Sequence, residues 1–291
     1  MTGNLKTTLA CLAISHYGGP FTRTSVPATF ISTDNYLERL CSQAKDVLIL
    51  VDDFYPQSSE AEARLQEQRA QRIIRSQSSH IGKGRLCADA SVRPIYSPRG
   101  LIVATGEMLP GGQSTAARML IIEVAKDTID LSKLTQSQAE AGLYPEAMRS
   151  YVDWLAPQMD RLKVELPAQF IRLRDSICKR YEHFNVAEMV AQLMVGWDFM
   201  LQHAAAAGAI TQGQQDELLL QGFETMTKLG EQQELKILAE RASVRFIDIL
   251  KNLLAQGRGY LKDRATGGPP PDAERWGWKV DTETPYILSL I

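Results

Sequence analysis

The sequence predicts an α/β fold, a parallel sheet with its helices in residues 1–130, followed by a mostly α-helical region over 131–266 and a linker and small tail over 267–291. Three observations carry this. Short apolar runs rich in branched residues recur in the first part, as strands buried on both faces do. Helical patterns lie between those runs. From about residue 135 the runs stop and apolar residues recur at helical spacing.

In chain order, Leu9 to Tyr17 reads as a helix, and Thr33 to Ala44 as a second, with Ser32 or Thr33 as N-cap. Val47-Leu48-Ile49-Leu50-Val51 reads as a strand ended by Asp52-Asp53. Pro56 and Ser58-Ser59 open a helix running to Arg75. Gly82 to Gly100 holds three glycines and two prolines, which excludes helix; Arg85-Leu86-Cys87 and Val92-Arg93-Pro94-Ile95-Tyr96 suggest a short hairpin. Leu101-Ile102-Val103-Ala104, ended by Thr105-Gly106, and Met119 to Val124 read as further strands. Helical spacing then marks 148–155, 186–207 and 243–254, with breaks near Pro157, Pro167, Gly208 and Gly213. Trp197, Phe199 and Met200 read as core rather than cofactor contacts. Gly267-Gly268-Pro269-Pro270-Pro271 reads as a linker, and Trp276-Gly277-Trp278-Lys279 as strand-like.

The 291 residues are 44% hydrophobic and 23% charged, an ordinary globular profile with room for about two domains. The 32 basic and 34 acidic residues leave a net charge of -2, which excludes a globally polybasic nucleic-acid binder. The four cysteines are scattered without a CxxC and read as reduced cytosolic thiols. No apolar run reaches the roughly 18 residues a membrane span needs, so no membrane partner is expected. Lys6 to Ser15 mimics a signal peptide only faintly.

Five features could carry chemistry. The strand ending in Asp52-Asp53 delivers carboxylates to the carboxyl edge of a sheet, where α/β folds bind ligands. Asp52 suits a magnesium ion and Asp53 an attacking water; strand-ending Asp pairs also serve as caps or turns. Gly3-Asn4-Leu5-Lys6-Thr7 matches the second half of a phosphate-binding loop, with Leu5 where that motif has its second glycine. Thr105, at the next strand end, suits a γ-phosphate sensor or a turn residue. Arg118 suits an arginine finger acting across a subunit boundary, or a surface arginine with a buried stem. Between Arg64 and Arg99 eight basic residues face only Glu67 and Asp89, so the helix and hairpin there form a candidate phosphate-backbone surface or a solvated helix face.

Taken together, Gly3 to Gly18, Ser32-Thr33, Val51 to Pro56, Arg72 to Arg85, Arg93-Pro94, Pro98 to Glu107, Gln113-Ser114 and Ala117 to Leu120 resemble a known family. It is the helicase-like P-loop ATPase region of primase-associated proteins from bacterial plasmids, prophages and integrative elements. That region is related to superfamily 3 and AAA+ helicases and to the domain of unknown function 927 group. The resemblance implies an ATP-binding, helicase-like ATPase in DNA replication of a mobile genetic element, hydrolysing ATP with Mg2+ in the cytoplasm. It implies that Gly3, Lys6 and Thr7 bind the nucleotide, with Thr7 and Asp52 holding the metal. Asp53 would activate water, Thr105 would be the sensor, and Arg118 would act in trans within a homo-oligomeric, hexameric ring. Lys83, Arg85 and Arg93 would contact single-stranded or forked DNA.

The family's sheet order, 5-1-4-3-2, also implies that this chain lacks its central first strand and reads as N-terminally truncated. A gap is then expected between the strands at Leu101 and Met119. The alternative expectation is a DNA-binding or assembly remnant without nucleotide.

Overall fold

The computed structural model describes residues 5–19, 21–125, 128–256, 258–263 and 274–279. The described residues group into two compact units, Met1–Ile237 and Leu238–Ile291.

The first unit begins with α1 (Lys6–Ile14), extended by a 3₁₀ turn to Tyr17. A two-residue strand, β1 (Ala28–Thr29), precedes α2 (Asp34–Gln43). Thr33 caps α2, its hydroxyl accepting from the Tyr36 amide. Strand β2 (Leu48–Phe54) follows, then α3 (Glu60–Ser79), capped by Ser59 on the Glu62 amide. This helix runs one turn past Arg75 and stops at His80, in the left-handed region. The expected hairpin is reduced to a single antiparallel bridge between Leu86 and Val92. Strand β3 (Leu101–Gly106) and the short α4 (Gln113–Ala116) come next.

The sheet is parallel with order β1-β2-β3. Strand alternation sorts the β2 side chains onto two layers. Ile49, Val51 and Phe54 join Phe30, Leu37 and Cys41 and, from α3, Ala70 and Ile73. Leu50 faces the other way, against Ala10, Cys11 and Ile14 of α1, with Leu48 and Val103 beside it. The result is a helix–sheet–helix sandwich. The outer edge of β3 pairs with no strand among the described residues, and Leu101 is 57% exposed there.

Met119 to Val124 is not a strand. Its apolar run suggested one, but among the described residues no neighbouring strand supplies a ladder. Instead the Gln233 side chain accepts from the Ile121 amide at 3.0 Å and donates to the Ala116 carbonyl at 2.8 Å. Gln233 is fully buried and both halves of its amide are satisfied.

The helical part of this unit comprises α5 (Leu131–Ala139), α6 (Tyr144–Leu155), α7 (Met159–Ile177), α8 (Phe184–Ala206) and all but the last two residues of α9 (Gln212–Ala239). Its core gathers Ile177, Val186, Ala187, Val190, Ala191, Met194 and Ile237 around Ala116 and Ala117. Pro157 falls in a 3₁₀ turn, and Gly208, with positive φ, ends α8, so both breaks are real. Pro167 does not break α7. Phe170, Leu173 and Ile177 beyond it pack on the helical core, and that burial outweighs the one backbone hydrogen bond a proline removes. Gly213 lies in the first turn of α9, where the amides have no helical acceptor anyway. Trp197 packs so closely on α9 that a Cβ on Gly222 would lie 2.2 Å from its indole nitrogen, which donates to the Leu218 carbonyl. Phe199 is half-buried against Trp154, whereas Met200 is exposed rather than core.

In the second unit α10 (Ala242–Ala255) precedes β4 (Gly259–Asp263) and β5 (Glu274–Lys279), a parallel pair. The helical reading of 131–266 is therefore corrected at its end: the chain is already extended from Gly259. The strand-like reading at Trp276–Lys279 agrees with β5. The Gly267–Pro271 linker reading lies outside the described residues. Among the described residues no helix is long and apolar enough to cross a membrane.

Candidate functional site

The carboxyl ends of β2 and β3 and the first turn of α1 meet at one carboxylate. Counting by twos from Leu50 puts Asp52 on the α1 side of the sheet. There the Thr7 hydroxyl donates to Asp52 Oδ1 at 2.9 Å. The Thr105 hydroxyl, from the end of β3, donates to the same oxygen. One carboxylate oxygen thus ties three elements that lie 45 and 53 residues apart in sequence.

Asp53 breaks the alternation. Its φ is 68°, and the β2–β3 register slips between Val51 and Phe54. A bulge at a strand end re-aims a side chain. It leaves Asp53 exposed, with its amide 3.5 Å from the Thr105 hydroxyl. Partial burial raises the Asp53 carboxyl above its ordinary value, and the charges of Asp52 and Glu107 raise it further. The register resumes at Phe54 opposite Gly106, where a Cβ would lie 2.6 Å from the Phe54 carbonyl oxygen. Only glycine lets β3 approach β2 that closely.

Lys6 is the first residue of α1, and Leu5 before it lies in the left-handed region with φ 56°. Any residue with a Cβ pays a steric cost there that glycine escapes, and the phosphate-loop motif has its second glycine at this place. Gly3 lies outside the described residues. The loop beyond β3 is pinned to α3: Glu67 Oε1 accepts from the Gly111 amide and from Gln71, both at 2.7 Å.

The other expected residues do not join this cluster. The Arg118 guanidinium donates to the carbonyl and hydroxyl of Ser114, one turn back on its own segment. Arg85 pairs with Glu38 at 2.7 Å and donates to Asn35, both on α2, with side chains only 25% and 13% exposed for the ion pair. That arginine is engaged within the fold. Lys83 and Arg93 are exposed and form no side-chain hydrogen bond or ion pair among the described residues. Elsewhere in the basic stretch, Arg69 and Arg72 both bind Asp34, Arg64 pairs with Glu60, and Arg99 donates to the Ser42 carbonyl.

Sequence reading missed two contributors. Glu107 adds its charge beside Asp53; an acid two residues past a strand-end threonine was the available signal. Asp34 neutralises two arginines from another helix, and nothing local in sequence reveals that pairing.

The carboxylate–hydroxyl pair suits magnesium chemistry. Magnesium takes one or two carboxylates or hydroxyls and keeps several waters, so it needs no all-protein cage. Among the described residues no three His, Cys, Asp or Glu side chains cluster as such a cage would require. Compared with family models, curated proteins and solved structures, the chain matches none.

Proposed function

We propose that the Thr7–Asp52–Thr105 cluster is the nucleotide site of a P-loop ATPase of the helicase-like, mobile-element replication type. The observation that carries this reading is the Thr7–Asp52 hydrogen bond. It joins the threonine of a half phosphate-loop motif to the carboxylate of a strand-end acidic pair. Either motif alone is common, and their meeting at 2.9 Å across two elements is the argument. The sheet order supports it too: β1, β2 and β3 correspond to strands 2, 3 and 4 of the 5-1-4-3-2 arrangement.

In this reading Gly3, Lys6 and Thr7 hold the β- and γ-phosphates, with Thr7 and Asp52 as the magnesium ligands. Bound magnesium would neutralise charge on the transferring phosphoryl group. Thr105 fixes the Asp52 carboxylate and faces the reacting end of the site. Asp53, exposed and with its proton affinity raised, is suited to orient and deprotonate water. Arg118 would act only from a neighbouring subunit, after leaving Ser114.

A fluorescent ATP-analogue titration with magnesium tests this on the full chain. Binding that is lost in Lys6→Ala and Thr7→Ala is expected. Equal, undetectable binding in all three proteins removes the ATPase reading. A second reading, DNA binding without nucleotide, is favoured by the unengaged Lys83 and Arg93 beside the Leu86–Val92 bridge. It predicts salt-sensitive DNA binding indifferent to ATP and magnesium.

A further inference from the structure

A cavity of about 350 Å³ opens beside the first turns of α1, within the first unit. Its lining includes Thr8, Cys11 and Leu12 of α1, Phe21 and Arg23 of the following loop, and Gln138 of α5. The volume falls in the range of small-molecule sites, roughly 300–1,000 Å³. Thr8 is only 7% exposed, yet its hydroxyl has no hydrogen-bond partner among the described residues. The hydroxyl is not among the fully covered polar atoms that lack a partner, so it stays open to solvent and free to donate to a molecule in the cavity. Arg23 stands at the mouth, exposed, and likewise forms no ion pair or side-chain hydrogen bond among the described residues. Among the described residues no acidic side chain lines the space, and Arg23 is its one cation. Its field reaches the Cys11 thiol on the floor, partly offsetting the upward push of burial and of Asp52. The Leu12 and Phe21 side chains supply apolar wall.

We infer that this cavity binds a small monoanion built on a flat ring, an aromatic carboxylate. One guanidinium matches one carboxylate in a forked pair. The Thr8 hydroxyl adds a second donor, the Leu12 and Phe21 walls cover the ring faces, and the Gln138 amide meets a polar ring substituent at the mouth. A cation would meet Arg23 with no counter-charge, and a multiply charged anion would be left undercompensated. The inference is independent of the nucleotide reading, because it uses none of Lys6, Thr7, Asp52 or Thr105.

The test is a fluorescence titration of the full chain with 2-naphthoate. Saturable binding is expected, weakened tenfold or more in Arg23→Gln and about threefold in Thr8→Val, with unchanged circular dichroism. Arg23 is exposed and partnerless, so its variant keeps the fold, and Thr8→Val preserves the shape at the floor. Excess ATP with magnesium should leave the naphthoate titration unchanged. No saturable binding, equal affinity in Arg23→Gln, or displacement by ATP would each overturn the proposal. Displacement would assign the cavity to the nucleotide itself.

Discussion

The cluster at Asp52 and the basic stretch from Arg64 to Arg99 were both conspicuous in sequence, and folding treated them in opposite ways. At Asp52, signals 45 and 53 residues apart came together on one oxygen atom. In the basic stretch, a single dense signal was taken apart. Asp34 and Glu38, outside the stretch, neutralise Arg69, Arg72 and Arg85, leaving Lys83 and Arg93 unengaged on the short turn. A motif defined by position survives folding when the scaffold fixes direction, as strand alternation does for Asp52. A charge count along the chain does not, because counter-charges arrive from other elements.

The largest expected effect breaks the first member of this comparison. Asp52→Ala leaves the Thr7 and Thr105 hydroxyls without their shared acceptor and removes the proposed magnesium carboxylate. Analogue binding with magnesium should fall at least a hundredfold, read by fluorescence titration, as expected when a phosphate-site charge contact is lost. A variant that binds as tightly as the parent would leave the cluster as a structural tie between α1 and the sheet.

Next comes the engaged arginine. Glu38→Ala leaves the mostly covered Arg85 guanidinium with the neutral Asn35 oxygen but no counter-charge, and should lower unfolding free energy by about 2 kcal/mol in urea titration. Lys83→Ala and Arg93→Ala should each change it by less than about 0.5 kcal/mol. If all three variants cost the same, the division between structural and free basic residues fails.

DNA binding gives a smaller, sharper contrast. Lys83→Ala with Arg93→Ala should reduce the slope of log affinity against log salt by about 1–2, as loss of two phosphate contacts would. The effect is read by fluorescence anisotropy on single-stranded DNA. An unchanged slope would remove the turn from any phosphate-binding role.

How much of this was legible follows from what each element needs. The strands β2 and β3 and the caps Thr33 and Ser59 are local patterns, so sequence suffices for them. Strand β1 is two residues long and offers no run to recognise. The 119–124 run looked like a strand but lacks a partner, and what decides its conformation is Gln233, more than a hundred residues later. Thr7 and Asp52 were legible because helix start and strand end are themselves local. Their meeting was implied only through the family resemblance, since physically it depends on the packing of Cys11 and Ile14 against Leu50.

The smallest effect concerns the one acid at the site that folding makes uncomfortable. The Asp53 carboxyl titrates above its ordinary 3.8 because burial, Asp52 and Glu107 all disfavour its charge. The folded state therefore holds this proton more tightly than the unfolded chain does. Stability linked to it is present at low pH and is lost as pH rises from 3.8 through the raised folded value. Asp53→Asn cannot ionise, and asparagine accepts the left-handed backbone at this bulge more readily than most residues. The variant should melt a degree or two higher than the parent at pH 7, by a fraction of a kcal/mol. That gain should vanish below pH 3.8 in calorimetry across the range. A gain independent of pH would assign it to backbone conformation alone. No gain at any pH would mean that solvent screens the three carboxylates and that Asp53 carries no stored repulsion for a bound cation to relieve.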